Sequence, residues 1–287
     1  MVLQRIYLTR HGFRANWAGQ ALNPRLDTWP AYPPDCPLSA HGVDQAQELC
    51  SWLSKLDEPI DMIFSSPFFR CVETIAPLAE QQNLKMSLEP GLGEWYGMYR
   101  GQADDPQPSS NDILSKFFSH IDSSYKRLVM PDHEGESIQQ LYDRCLRTLR
   151  KIIALADSHE SQPTTIVLCT HAATFVMLCR ILANKPVDNP EDVDFIPWTA
   201  GITLFRRETL DEPELADSLI NHSAASSDIG KWGCLIDGDC SFLSSGRERG
   251  WRFSGKESFT HTVPRHGVDA GSGLGVIVHD ASRSIQP

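Results

Sequence analysis

Short apolar runs alternate along the chain with longer segments in which apolar residues recur every three or four positions. Runs at residues 4–9, 60–64 and 165–169 predict buried strands, and residues 201–205 are a further strand candidate. The intervening segments carry helical periodicity. Because strands and helices alternate in this way, the pattern predicts an α/β fold with a mainly parallel sheet.

Helix start signals lie between the apolar runs. Ser39 is placed to cap a helix, and Val43 belongs to the predicted apolar face of that helix. Pro67 fits the first turn of a second helix, which follows the second run. Ser137 caps a third helix with Gln140 as its capping-box partner.

The pattern changes after residue 206, and this change indicates the domain organisation. We expect a domain over residues 1–206, followed by an acidic linker or surface loop over residues 207–231. A C-terminal extension over residues 232–261 is expected to pack on the domain. The tail over residues 262–287 is rich in Gly and Ser, and we expect it to be flexible.

Composition narrows the classes of function. The 287 residues carry a net charge of −11, which argues against a broad nucleic-acid-binding surface but not against a basic pocket for a small anion. No apolar stretch is long enough for a membrane span, and the first residues do not resemble a signal peptide. The 8 cysteines show no metal or disulfide framework, so we expect a reduced protein of the cytoplasm, the nucleus or both.

Two of the predicted strands end in a histidine, His11 and His171. Because ligands of open α/β sheets bind at the carboxyl ends of strands, we expect these two side chains at one site. Arg10, Arg14 and Asn16 surround the first histidine in sequence. Guanidinium groups match phosphate oxygens in geometry and stay charged, so this cluster predicts a phosphate site.

Arg70 forms a second basic feature, in the first turn of the second predicted helix. A positive charge is unfavourable at a helix N-terminus unless an anion also binds there. We therefore assign Arg70 to the same phosphate site. A surface pair between Arg70 and Glu73 is the alternative.

Six motifs occur in a fixed order over about residues 5–205. They are Arg10-His11-Gly12, Leu38-Ser39-x-x-Gly42-x-x-Gln45-Ala46, Ser65-Ser66-Pro67-x-x-Arg70-x-x-Glu73-Thr74, Gly91-Leu92-x-Glu94-Trp95, Gly135-Glu136-Ser137 and Thr170-His171-Ala172. This set resembles the histidine phosphatase superfamily, also called the phosphoglycerate mutase-like family. Arg14 makes the first motif similar to the Arg-His-Gly-x-Arg phosphatase branch rather than to the mutases.

The resemblance implies a three-layer α/β/α, phosphoglycerate mutase-like fold and a phosphatase mechanism. His11 would form a phosphohistidine, and Glu94 would protonate the leaving group. The phosphate would be held by Arg10, Arg14, Asn16, Arg70 and His171, with His171 also counted as catalytic. No metal and no cofactor would be needed, and the substrate would be a phosphorylated small molecule or a phosphopeptide.

The C-terminal extension leaves a second class of function open. Residues 238–255 resemble the region after the phosphatase-like domain in a fungal group that includes the tau subunit of transcription factor IIIC. On this second hypothesis the chain is an interaction subunit with weak activity, such as a subunit of a transcription complex, and it binds a protein partner through residues 232–261. Alternatively, the extension only covers one side of the domain, or its arginines Arg247, Arg249 and Arg252 line the site. A phosphoglycerate-type mutase is a third hypothesis.

Overall fold

The computed structural model describes residues 3–18, 35–95, 97, 108–132, 134–185, 189, 192, 194–208 and 229–253. Among these residues the strands are β1 (Arg5–Arg10), β2 (Met62–Ser65), β3 (Met86–Leu88), β4 (Thr165–Thr170), β5 (Ile202–Arg207) and β6 (Trp232–Asp239). The helices are α1 (Ala40–Leu53), α2 (Phe69–Gln82), α3 (Asn111–Leu114), α4 (Ile138–Ser158) and α5 (Ala172–Leu182). Two 3₁₀ turns span Ala15–Ala18 and Pro90–Leu92.

The six strands form one sheet in the order β3-β2-β4-β1-β5-β6. Strands β3, β2, β4 and β1 run parallel, whereas β5 is antiparallel to β1 and β6 is antiparallel to β5. Ile6 and Leu8 pack in the same core cluster as α4 and α5, while Tyr7 packs with α1 and α2. Alternate strand residues thus face opposite helical layers, which confirms the three-layer, mainly parallel α/β fold.

The helix caps agree with the sequence pattern. The side chain of Ser39 accepts a hydrogen bond from the Gly42 amide at the start of α1. Ser137 and Gln140 form a reciprocal capping box at the start of α4. Two local expectations are wrong: Val43 is an exposed residue of α1, and Pro67 precedes α2, whose first residue is Phe69.

Several sequence-based expectations fall outside the described residues. These include residues 209–228 of the expected linker and the whole of the expected tail, residues 262–287. Of the C-terminal extension, residues 232–239 form β6, and residues 240–253 follow it against the domain. All eight cysteines lie within the described part of the chain, where each is free and buried. In the described residues no helix combines the length and apolarity that crossing a bilayer requires.

Candidate active site

The parallel pairing of β1 with β4 brings the two histidines together. Arg10 is the register partner of Thr170, so the next residues, His11 and His171, leave the sheet side by side. The His11 amide donates to the Thr170 carbonyl at 3.0 Å, and the two imidazole centroids are 5.4 Å apart. Both side chains are buried. The structure thus brings together the histidines expected at the carboxyl ends of these strands.

A backbone contact fixes the tautomer of His11. Its Nδ1 lies 2.8 Å from the carbonyl oxygen of Gly12, which only accepts hydrogen bonds, so Nδ1 is the donor. The neutral ring therefore carries its lone pair on Nε2. Burial lowers the pKa of His11 well below 6.5, and the charges of Arg70 and Arg10 lower it further. At neutral pH His11 is thus a neutral imidazole that carries its proton on Nδ1 and an available lone pair on Nε2.

Arg70, Glu94 and His171 form a tight buried cluster beside His11. The Nη2 atom of Arg70 lies 3.1 Å from Glu94 Oε2 and 3.0 Å from His171 Nδ1, and Glu94 Oε2 lies 3.2 Å from that Nδ1. Ser66 Oγ lies 2.7 Å from His171 Nε2. The surface pair between Arg70 and Glu73 is absent, because the Glu73 carboxylate accepts from the amide of Leu38.

Charge in this cluster shifts two pKa values in opposite directions. Burial alone raises the pKa of Glu94, but His171, Arg70 and Arg14 outweigh burial and hold that pKa well below its ordinary range. Burial disfavours the charged form of His171, yet Cys71 and Glu94 raise its pKa above 6.5. Glu94 is therefore ionised when no phosphate is bound.

Hydrogen bonds from α4 and α5 fix the loop that carries Glu94. Arg144 of α4 donates to the carbonyl oxygens of Gly91 at 2.8 Å and Gly93 at 3.1 Å. Thr174 at the start of α5 donates to the same Gly93 carbonyl at 2.7 Å. The Glu94 carboxylate is thus presented by a rigid turn rather than a free loop.

Arg10 and Arg14 complete the basic side of the site. Arg10 donates through Nη1 to the carbonyl oxygens of Pro197, at 3.0 Å, and Arg249. The guanidinium carbon of Arg14 lies 4.1 Å from the centroid of the Trp17 ring. Asn16 lies on the 3₁₀ turn after Arg14, where its side chain is exposed and its Oδ1 accepts from the thiol of Cys36 at 3.5 Å.

Gly12 is required for packing between α1 and the turn that follows β1 and contains His11. A Cβ atom on Gly12 would lie 2.9 Å from the Gly42 carbonyl, and one on Gly42 would lie 2.1 Å from the Phe13 carbonyl. The two glycines of the sequence motifs thus let β1 and the start of α1 touch. Gln45 of α1 adds a hydrogen bond from the Phe13 amide at 2.9 Å.

The site's donor set is better suited to an anion than to a metal ion. One ligand atom each of His11, Glu94 and His171 lies within 4.8 Å of the others, a spacing that could hold a cation. However, Arg70 already contacts both Glu94 and His171, and the surrounding arginines repel a cation. The same arginines attract phosphate oxygens.

Comparison with known proteins identifies the family. Residues 6–211 match the family model for the histidine phosphatase superfamily (branch 1). The chain belongs to this superfamily. The superfamily assignment agrees with the order of the six sequence motifs and with the sheet observed here.

Curated relatives in this superfamily have different names and lengths. The transcription factor tau 55 kDa subunit of Saccharomyces cerevisiae is 34% identical over 263 residues, which cover 88% of this chain and 59% of that protein. The ecdysteroid-phosphate phosphatase of Drosophila melanogaster is 28% identical over 63% of this chain and 27% of its own length. The chain thus spans about three fifths of the yeast relative and about a quarter of the fly relative.

Solved structures of the superfamily share the fold. The ecdysone phosphate phosphatase of Bombyx mori, solved with tungstate, has a TM-score of 0.57 at 20% identity and covers 77% of this chain and 96% of its own. The protein YhfR of Bacillus stearothermophilus has a TM-score of 0.52 at 17% identity, with 84% and 99% covered. At these identities the likeness establishes the phosphoglycerate mutase-like fold alone.

Two further residues lie in this region: Trp17, which was not among the sequence-predicted site residues, and Arg249, which was expected at the site only in one alternative for the extension. Trp17 lies with its ring centroid 5.9 Å from that of His11, and Arg249 lies beyond the end of the family match at residue 211. The sequence offered a weak signal for Arg249, since it belongs to the arginine cluster of the extension. It offered none for Trp17 beyond its position six residues after His11.

Proposed function

We propose that the chain is a metal-independent phosphomonoesterase that forms a phosphohistidine on His11. The observation that carries this proposal is the convergence of a buried, neutral His11 with Arg70, Glu94 and His171. Phosphoryl transfer depends mainly on positioning and on positive charge around the phosphate oxygens, and this arrangement supplies both. The substrate class is a phosphorylated small molecule or a phosphopeptide.

In the first step, Nε2 of His11 attacks the phosphorus atom while the bond from phosphorus to the leaving oxygen breaks. Arg10, Arg14, Arg70 and His171 hold the remaining phosphate oxygens. Glu94 lies 3.1 Å from Arg70, within the same cluster, and gives a proton to the leaving oxygen.

The proton on Glu94 needs a source, since its carboxylate is ionised in the free site. A phosphate monoester has its second pKa near 6, so about half of a substrate arrives as the monoanion at that pH and brings a proton. Bound phosphate also neutralises the arginines that depress the pKa of Glu94, so the proton can move to the carboxyl group.

In the second step, water attacks the phosphohistidine and the bond between phosphorus and Nε2 breaks. Glu94, now ionised again, accepts a proton from the attacking water. Inorganic phosphate leaves, and His11 returns to the neutral form that its lowered pKa favours.

The test is hydrolysis of p-nitrophenyl phosphate in the presence of EDTA, with His11→Ala as the variant. We expect the substitution to lower kcat by about 10³-fold or more, because no other group forms the covalent intermediate. His159→Ala, at an exposed histidine, is the matched control and should behave like the wild type. Acid-labile labelling of the wild type by a ³²P-substrate should disappear in His11→Ala. Full activity of His11→Ala, or complete inhibition by EDTA, would contradict the proposal.

A second function is favoured by the alignment with the yeast transcription factor tau subunit. Because 88% of this chain is aligned, whereas the superfamily match ends at residue 211, the alignment includes part of the C-terminal extension. We propose on this ground that the chain is also an interaction subunit of a transcription complex and therefore nuclear, with residues 232–261 contributing to partner binding.

To test this second function, the full chain is purified under native conditions, and mass spectrometry identifies the proteins that co-purify with it in stoichiometric amounts. We expect transcription-factor subunits to co-purify equally with wild type and His11→Ala, because assembly does not need the nucleophile. A chain that purifies as a free monomer of 32.1 kDa would contradict it.

A further inference from the structure

A segment outside the superfamily match reaches the phosphoryl site. The match ends at residue 211, yet Arg249 is buried and contacts three residues of the nucleophile region. Its carbonyl oxygen accepts from Nη1 of Arg10. Its guanidinium carbon lies 5.1 Å from the Phe13 ring centroid and 4.7 Å from the Trp17 ring centroid.

The neighbouring residue anchors this segment to the domain. The Glu248 carboxylate accepts from Gln45 Nε2 at 2.8 Å and lies 2.6 Å from His41 Nε2, both on α1. Its carbonyl oxygen accepts from the Thr199 amide at 3.1 Å. Gln45 also binds the Phe13 amide, so a single side chain joins the nucleophile turn to the extension.

The backbone at Arg249 is held in a conformation that side chains rarely adopt. Its φ is +53°, in the left-handed region where a side chain is strained. Such a conformation persists only where the surrounding contacts impose it. Here the anchored Glu248 and the contacts of Arg249 with Arg10 and Trp17 impose it.

Trp17 links Arg249 to the rest of the site. Its ring lies 5.9 Å from the His11 ring between centroids, 4.1 Å from the guanidinium carbon of Arg14 and 5.3 Å from that of Arg10. Cation–π contacts at these distances favour one arrangement of ring and guanidinium groups. A change of the Arg249 side chain therefore reaches Trp17 and, through the Trp17 ring, the guanidinium groups of Arg14 and Arg10.

We propose that Arg249 is a positioning residue of the phosphoryl site, whose carbonyl holds Arg10 and whose guanidinium holds Trp17 and, through it, Arg14. The inference rests on the proposed phosphatase function and assigns that function a part of the chain beyond the superfamily match. Because a displacement of about 1 Å in a catalytic group can cost about 10²-fold in rate, loss of this support is measurable.

The test uses Arg249→Gly in the full chain, since glycine adopts the left-handed backbone without strain and keeps the carbonyl. We expect kcat/KM for p-nitrophenyl phosphate to fall about 10- to 100-fold, and the inhibition constant of inorganic phosphate to rise about 10-fold. Arg249→Lys keeps the charge and should recover part of both losses. Arg147→Ala, at an exposed arginine of α4, is the control and should leave both constants unchanged.

The inhibition constant separates positioning from folding. A variant that is merely less folded loses active molecules and thus apparent kcat, but the remaining molecules bind phosphate as tightly as the wild type does. Arg249→Gly with wild-type kcat/KM and phosphate inhibition would overturn this inference alone, and so would a loss of kcat at unchanged phosphate inhibition. A wild-type chain that neither hydrolyses the ester nor binds inorganic phosphate, followed by ³¹P NMR, would overturn both this inference and the phosphatase proposal.

Discussion

The buried arginines of the described residues fall into two groups with different surroundings. In the first group each arginine forms a short ion pair within the scaffold: Arg144 with Glu136 at 2.7 Å, Arg180 with Asp194 at 3.1 Å, and Arg207 with Asp157 at 2.9 Å. In the second group the arginines gather at the carboxyl end of β1, around His11 and Trp17: Arg10, Arg14, Arg70 and Arg249.

The difference shows what each group does. In the first group the carboxylate offsets the positive charge of its arginine, so the pair fixes elements but leaves little field outside itself. In the second group Arg70 also pairs with Glu94 at 3.1 Å, but one carboxylate is shared among several positive groups. At His11 the positive field persists, because Arg70, Arg10 and Arg14 each lower the pKa of that imidazole in addition to burial. A protein with a net charge of −11 thus concentrates positive charge at the point where a phosphate would bind.

The largest expected effect is on stability, from Arg144→Met in the first group. The substitution leaves the buried carboxylate of Glu136 without its partner and removes the donors to the Gly91 and Gly93 carbonyls. Breaking a buried pair in this way costs about 3–5 kcal/mol. Urea unfolding should report that loss, whereas Arg147→Met, at an exposed arginine of the same helix, should stay within about 0.5 kcal/mol. Equal free energies of unfolding for the two variants would contradict the assignment of Arg144 to the scaffold.

Arg70→Met should lower activity more than it lowers stability, because Arg70 lies at the candidate site rather than in one of the scaffold ion pairs. We expect kcat/KM for p-nitrophenyl phosphate to fall about 10²- to 10³-fold, the usual cost of removing one preorganised donor at a developing charge. Its free energy of unfolding should fall less than that of Arg144→Met, since Glu94 keeps His171 as a partner at 3.2 Å. Steady-state kinetics and urea unfolding of the same preparations test both statements. A variant that loses stability but keeps its activity would place Arg70 in the first group.

Much of the second group could be predicted from the sequence because parallel strands end at one edge of the sheet. The apolar runs of β1 and β4 predicted where His11 and His171 would emerge, and Arg10 follows from its place beside His11. For Asn16 the only sequence signal was nearness to His11: on the 3₁₀ turn Ala15–Ala18 its side chain is exposed, whereas Arg14 and Trp17 are buried. The backbone conformation of the turn decides which of these neighbours are buried beside His11.

Other features could not be predicted because no local pattern encodes them. Strand β3 has three residues, too few to show a period, and β6 contains Gly233, Gly238 and two aspartates. Arg10 and Arg249 are 239 positions apart, and their contact depends on how the chain after β6 returns to α1. The sequence could offer the arginines of the extension as one alternative for the site, but the contact between Arg249 and Arg10 arises from tertiary structure.

The smallest expected effect is a pH dependence that affects the second group and not the first. Arg249 is adjacent to Glu248, whose hydrogen bond raises the pKa of His41 above 6.5, with further contributions from Asp44 and Glu48 against the effect of burial. A raised pKa means that this contact stabilises the anchored segment fully below pH 6.5 and is lost as the pH rises through the raised value. The ion pairs of the first group contain no histidine, the side chain whose ordinary pKa lies near this range.

Hydrogen exchange of the backbone amides at residues 247–249, corrected for intrinsic rates, measures this difference. Local opening should increase a few-fold between pH 6 and pH 9 in the wild type, because His41 becomes neutral and its bond to Glu248 weakens. His41→Gln keeps a neutral donor beside Glu248 and should remove the pH dependence, while amides of α4 around Arg144 should show none in either protein. If His41→Gln shows the same pH dependence as the wild type, a group other than His41 controls the opening of residues 247–249. The contact between His41 and Glu248 would then not distinguish the surroundings of Arg249 from those of Arg144.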